Sequence, residues 1–187
     1  MYGKTWMLWI WRWVDPIYYM FTRLRYVEAE PERNIFRVRL LTYRGKPLVL
    51  SNGESVKPGD VLLKIHLHNV RLLQALFPLR GDIERGKYIL RSVQASLPCL
   101  ADYVRRHPMS KEIKGLIGIT LLNKGCDRLG FEVLPIGSRG LKIMKWVPQS
   151  MICLLFVSQP FKTIRKQSLK YLYMPKETLF EKYGAVD

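Results

Sequence analysis

Acidic residues are scarce in this chain. Fifteen Asp and Glu stand against thirty-one Lys and Arg, a formal net charge of +16 over 187 residues. The few acids mostly fall in turns and on helix surfaces, which argues against a paired-carboxylate hydrolase. The shortage deepens locally: from Leu134 to Lys176 there is no acid, while Arg139, Lys142, Lys145, Lys162, Arg165, Lys166 and Lys170 lie within that span. Such a surface seeks polyanions, whether nucleic acid or anionic lipid headgroups, and these seven residues form a candidate anion and membrane patch.

Cysteine is also thin. Cys99, Cys126 and Cys153 are odd in number and far apart, with no CxxC pair, which excludes a disulfide framework and suits reduced, packed thiols in the cytoplasm. Long apolar runs are missing too. The strongest, Trp6-Met7-Leu8-Trp9-Ile10-Trp11, is cut by Arg12, Asp15 and Pro16, well short of the roughly 20 residues a membrane span requires. No small-residue cleavage site follows it, so a secretory signal is not expected. The expectation is a cytoplasmic chain, soluble or bound peripherally at the inner face of the membrane.

Catalytic signatures are absent in the same way. There is no Gly-x-Ser-x-Gly elbow and no cysteine beside a histidine. Gly115-Leu116-Ile117-Gly118-Ile119-Thr120 lacks the Walker lysine and matches no dinucleotide fingerprint. No helix-turn-helix, zinc module or RNA-binding aromatic signature appears, so nucleic acid, if bound, is read without sequence preference. No cofactor is expected.

What is present is an ordinary globular composition, 48% hydrophobic and 25% charged, enough for one core. Gly59 to Asn69 alternates apolar and polar residues, as a half-buried strand does. Leu63, Ile65 and Leu67 line one side; Lys64, His66 and His68 line the other, with Asn69 and Arg71 following at once. This polar row, ending where a strand meets a helix, is the candidate site. His66 and His68 are the candidate acid/base groups, and Lys64, Asn69 and Arg71 would position an anionic or sugar-containing ligand. The two imidazoles suit zinc, but no spacing designates a third ligand among Asp60, His107 and the cysteines, so no metal is expected.

Around that strand, Phe36 to Tyr43, Leu48 to Leu50 and the histidine strand read as a three-stranded meander. A short apolar helix from Val70 to Phe77 precedes a long one from Ile83 to Arg106, whose Ile89, Val93, Leu97, Leu100 and Val104 keep helical spacing. Ile113 to Ile119 reads as a buried strand, followed by a short helix from Thr120 to Leu129 and a strand from Phe131 to Ile136, a unit that favours locally parallel pairing. Strands at Ile152 to Val157 and Leu169 to Tyr173 precede a last helix from Lys176 to Tyr183. Residues 5 to 25 read as helical, with Trp6, Trp9 and Trp13 on one face as a candidate membrane anchor. The predicted architecture is an α+β fold: residues 1–33 form a Trp-rich amphipathic helix and link. Residues 34–187 form a single domain with one mixed sheet of about six or seven strands covered by helices.

The order of several segments resembles the YkoP-like proteins of Bacillus-type bacteria. The resemblance runs through Val14-Asp15-Pro16-Ile17-Tyr18, the Gly59-Asp60 to His66-Leu67-His68-Asn69 strand, Gly118-Ile119-Thr120-Leu121-Leu122, Arg128-Leu129-Gly130-Phe131-Glu132-Val133, and the closing helix from Leu179 to Gly184. Related domains occur alone or joined to polysaccharide deacetylases, which implies a link to cell-envelope glycan or glycolipid metabolism. The resemblance assigns no catalytic residue, and this chain carries no deacetylase portion. From Ile113 onward the element order is also weakly similar to GCN5-type acetyltransferases, without their acyl-CoA loop. The expected function is a basic accessory protein at an anionic membrane surface. The alternatives are a small acyltransferase-like enzyme using the His/Asn/Arg pocket and a nonspecific nucleic-acid binder.

Overall fold

A computed structural model describes residues 25–27, 34–79, 81–120, 124–136 and 170–184. The strands are β1 (Arg25–Tyr26), β2 (Phe36–Thr42), β3 (Leu48–Val49), β4 (Ser55–Val56), β5 (Val61–Leu67), β6 (Ile113–Thr120), β7 (Glu132–Pro135) and β8 (Lys170–Pro175). The helices are α1 (Asn69–Leu76), α2 (Asp82–Arg106) and α3 (Lys176–Tyr183). One mixed sheet runs β1-β2-β5-β6-β8-β7. Five of its strands are four or more residues long, and two-residue β1 is laid on the edge.

Alternation in the sequence decides what each sheet face carries. Phe36, Val38, Leu63, Leu116 and Met174 share one face and meet Leu97, Leu100, Ala101 and Val104 of α2 and Leu179 of α3 in a single core. Helix α2 suits this role: its apolar residues recur at helical spacing, Asp82 and Glu84 sit in its first turn, and Arg105 and Arg106 sit in its last. That charge order complements the helix dipole. His107 and Pro108 then end it, with His107 in an extended conformation.

The crossover that makes the one parallel pair among the described strands, β5 with β6, contains α1 and α2. The other long pairs, β2 with β5, β6 with β8 and β7 with β8, are antiparallel. Glycine is needed where β6 meets β8. A Cβ at Gly115 would lie 2.5 Å from the Met174 carbonyl oxygen and 2.7 Å from the Tyr173 hydroxyl.

The α+β class and the mixed sheet agree with the sequence, but the meander does not. β2 pairs directly with β5 over seven residues, while Leu48–Val49 pairs with Ser55–Val56 as a separate two-stranded hairpin. The hairpin crosses the sheet face opposite α2, where Leu48, Leu50 and Val56 join Tyr171 and Tyr173 in a second core and the Ser51 N–H donates to Glu132 Oε2 at 2.9 Å.

The expected parallel pairing of the Ile113 and Phe131 segments is also replaced. β8 lies between β6 and β7 and is antiparallel to both. Within the described residues, the helix expected from Thr120 to Leu129 is a turn at 124–126 and a 3-10 turn, Asp127–Leu129, stopped by Gly130 at φ 90°. The Trp-rich helix lies outside the described residues, except that its expected last residue, Arg25, belongs to β1. The strand expected at Ile152 to Val157 is also outside them.

Candidate functional site

The central strands β2 and β5 place Arg37 opposite His66 and Arg39 opposite Lys64. Directly paired residues share a sheet face, so all four project on the side opposite α2. Arg37 is only 4% exposed, whereas Arg39, Lys64 and His66 are half-buried. Packing explains why the polar set is tolerated here: Val38, Leu63 and Ile65, on the alternate positions, take up the apolar contacts with α2.

The ladder continues one step past β5, where the His68 N–H donates to the Ile35 carbonyl at 2.7 Å. This keeps His68 in phase with Lys64 and His66 and makes Arg37 its diagonal neighbour. Arg37 Nη2 lies 2.8 Å from His68 Nε2. A guanidinium can only donate, so Nε2 accepts and the ring proton of this pair belongs on Nδ1. The Arg71 backbone N–H, 3.4 Å from Nδ1, is therefore a close approach and not a second strong bond. The His68 carbonyl also accepts from the Leu72 N–H at 3.1 Å, which joins it to the first turn of α1.

A buried amide braces the other side. Asn34, 2% exposed, donates through Nδ2 to the Ser96 carbonyl at 3.1 Å and accepts the Phe36 N–H at Oδ1 at 2.8 Å. Its carbonyl accepts from Arg71 Nη1 at 3.3 Å. The Ile35 N–H donates to Ser96 Oγ at 3.3 Å, so the chain entering β2 is tied to α2. The site thus sits at the carboxyl end of β5, beside the opening of α1. In open sheets with parallel strands, this is where ligands are usually held.

Of the residues singled out in the sequence, Lys64, His66, His68 and Arg71 are brought together. Asn69 is the first residue of α1. Lys170 begins β8, paired with Thr120 and Pro135, and is separated from β5 by β6. Trp6, Trp9, Trp13, Arg139, Lys142, Lys145, Lys162, Arg165 and Lys166 lie outside the described residues. Arg37 and Arg39 join the site without having been singled out. Their signal is the alternation Phe36-Arg37-Val38-Arg39-Leu40, whose apolar phase marks the strand and whose basic phase marks the site.

Asp60 and His107, two of the candidates for a third metal ligand, are engaged elsewhere. Asp60 accepts the Lys57 N–H at 2.7 Å and pairs with Lys114 Nζ at 2.9 Å, and the turn hydrogen bond holds its carboxyl below the usual range. It stands at the opposite end of β5 from His66, about 20 Å away along the strand. The third histidine, His107, caps the end of α2 and accepts the Met109 N–H at 3.1 Å. Among the described residues, no three His, Cys, Asp or Glu side chains converge. Burial pushes the Cys126 thiol up to about 11, which makes it a packed group and a poor nucleophile. Burial also raises the phenols of Tyr43, to about 12, and of Tyr173.

Three arginines, a lysine and two imidazoles occupy two cross-strand rungs and the turn beyond them, close to the positive end of α1. A mixed-sheet α+β domain with a cationic face at its parallel crossover is the class this defines. Sequence comparison gives its family: residues 4–183 match the YkoP domain, and the chain belongs to that family. It is 40% identical over 184 residues to the Bacillus subtilis (strain 168) protein described as "Uncharacterized protein YkoP", covering 98% of this chain and all of that one. No solved structure matches the chain.

Proposed function

We propose that the protein is a basic accessory factor of cell-envelope glycan or glycolipid metabolism, working peripherally at an anionic membrane surface and taking an anionic group of its ligand on the β2–β5 face. The observation that carries this reading is the pairing of Arg37 with His66 and of Arg39 with Lys64 across one half-buried sheet face. These rungs gather basic side chains on one face, and basic side chains are the groups that recognise phosphate and anionic headgroups. The net charge of +16 supports the membrane part, because a field of that sign draws the chain to anionic headgroups. The sequence adds Trp6, Trp9 and Trp13 at helical spacing as an interfacial anchor. No described helix is long and apolar enough to cross a membrane.

Sedimentation with vesicles tests the membrane part. The protein is expected to pellet with anionic vesicles at low salt, to pellet less with neutral ones, and to be released as salt shortens the Debye length. Absence from both pellets at low salt would remove the membrane from the proposal.

A further inference from the structure

We infer that the protein seats itself on an anionic membrane through the joint between α1 and α2 and the solvent face of the first half of α2. This rests on the membrane reading above and adds a second contact to the anchor proposed at Trp6, Trp9 and Trp13. Helix α2 is longer than the sheet it covers. Its 25 residues span about 37 Å, against about 23 Å for seven-residue β5. Its buried residues, Ser96, Leu97, Leu100, Ala101 and Val104, all lie in its second half. No residue from 82 to 95 is fully buried.

The exposed side chains of this region are of two kinds. Phe77, 54% exposed, and Ile83, 78% exposed, flank the connection between the two helices, and Tyr88 is 38% exposed further along α2. Lys87 and Arg91 are exposed four and eight residues after Ile83, on one helical stripe with it. Between Glu84 and Asp102 the helix carries no acid. The connection is braced. The Arg85 guanidinium donates to the Leu79 carbonyl through Nε at 3.2 Å and Nη2 at 3.1 Å, and the Leu79 N–H donates to the Leu76 carbonyl at 3.1 Å. A braced turn presents Phe77 and Ile83 with little left to order on contact.

Bulky apolar side chains beside exposed bases match the two layers of an anionic bilayer surface. Phe77 and Ile83 enter the boundary beneath the headgroups, and the Tyr88 ring suits headgroup level with its hydroxyl toward water. Lys87 and Arg91 lay their apolar stems along that boundary and carry their charges to the lipid phosphates. A second copy of the chain is the poorer occupant, because it would bring its own net charge of +16 against the first.

Sedimentation of the full chain with vesicles of phosphatidylglycerol and phosphatidylcholine tests the assignment. Phe77→Ala combined with Ile83→Ala is expected to lower the partition coefficient about tenfold or more, through lost apolar burial. Lys87→Gln combined with Arg91→Gln is expected to lower it about tenfold, and to leave binding to pure phosphatidylcholine unchanged. Val49→Ala combined with Met109→Ala removes side chains that are 67% and 38% exposed elsewhere, and is expected to bind as the wild type does. Thermal unfolding checks each variant; should the apolar pair fail to fold, the charge pair decides. Undiminished binding by either folded pair, or an equal loss in the Val49 and Met109 control, would overturn this face and leave the membrane reading standing. Absence of the wild type from the vesicle pellet at low salt would overturn both. A wild-type dimer that F77A/I83A dissociates, with vesicle binding unchanged, would assign the face to a second copy instead.

Discussion

Replacing Arg39 and Lys64 together by glutamine is expected to weaken phosphate binding by about 100-fold or more. Each side chain can supply charge-assisted hydrogen bonds of about 1.5–3 kcal/mol, and the two face each other across the β2–β5 ladder. Glutamine keeps much of the length and some hydrogen-bonding capacity, so the loss reports charge and not a hole in the sheet. Stability is expected to stay within about 1 kcal/mol of the wild type, because glutamine retains most of the apolar stem that each half-buried side chain packs. Calorimetry and thermal unfolding on the same preparation separate the two effects. Unchanged affinity in a folded double variant would remove these two residues from the site.

Leu100→Ala tests the opposite side of the sheet. Leu100 has no exposed surface and lies in the core that joins α2 to Phe36, Val38, Leu63, Leu116 and Met174. Truncating a leucine in such a place costs about 2–5 kcal/mol, part lost transfer energy and part residual cavity. In a chain of this size each kcal/mol moves the melting temperature by about 2–4 °C, so a fall of about 10 °C is expected. Met109→Ala is the control: Met109 is 38% exposed, and its truncation is expected to cost less than about 0.5 kcal/mol. Because Leu100 faces away from the cationic row, L100A is expected to retain phosphate affinity below its melting temperature. Equal destabilisation by L100A and M109A would contradict the placement of α2.

Local periodicity made much of this legible. The histidine strand, α2 and α3 agree with the sequence to within one or two residues, because alternation and helical spacing are encoded over runs long enough to leave one interpretation. Lys64, His66, His68 and Arg71 follow from the same alternation and the strand–helix junction. What the sequence did not display is pairing. Leu48 to Leu50 has strand character whether it lies inside the main sheet or in a separate hairpin, so the direct β2–β5 ladder was hidden.

Two further gaps have the same cause. Arg37 and Arg39 belong to the site only because that ladder sets them opposite His66 and Lys64. Likewise, nothing between Ile113 and Ile136 announces that β8, distant in sequence, inserts between β6 and β7. The close approach of Gly115 to the Met174 carbonyl is visible only once that insertion is known.

The β2–β5 face is where this protein is proposed to take an anion. Backbone amide NMR of the full chain, titrated with inorganic phosphate against sodium chloride at matched ionic strength, tests it most directly. Saturable shifts are expected at Arg37, Arg39, Lys64, His66, His68 and Arg71, with Asp60, Lys114 and the exposed turn of α2 near His107 unmoved. Shifts scattered over surface lysines without saturation, or none on β2 and β5, would contradict it.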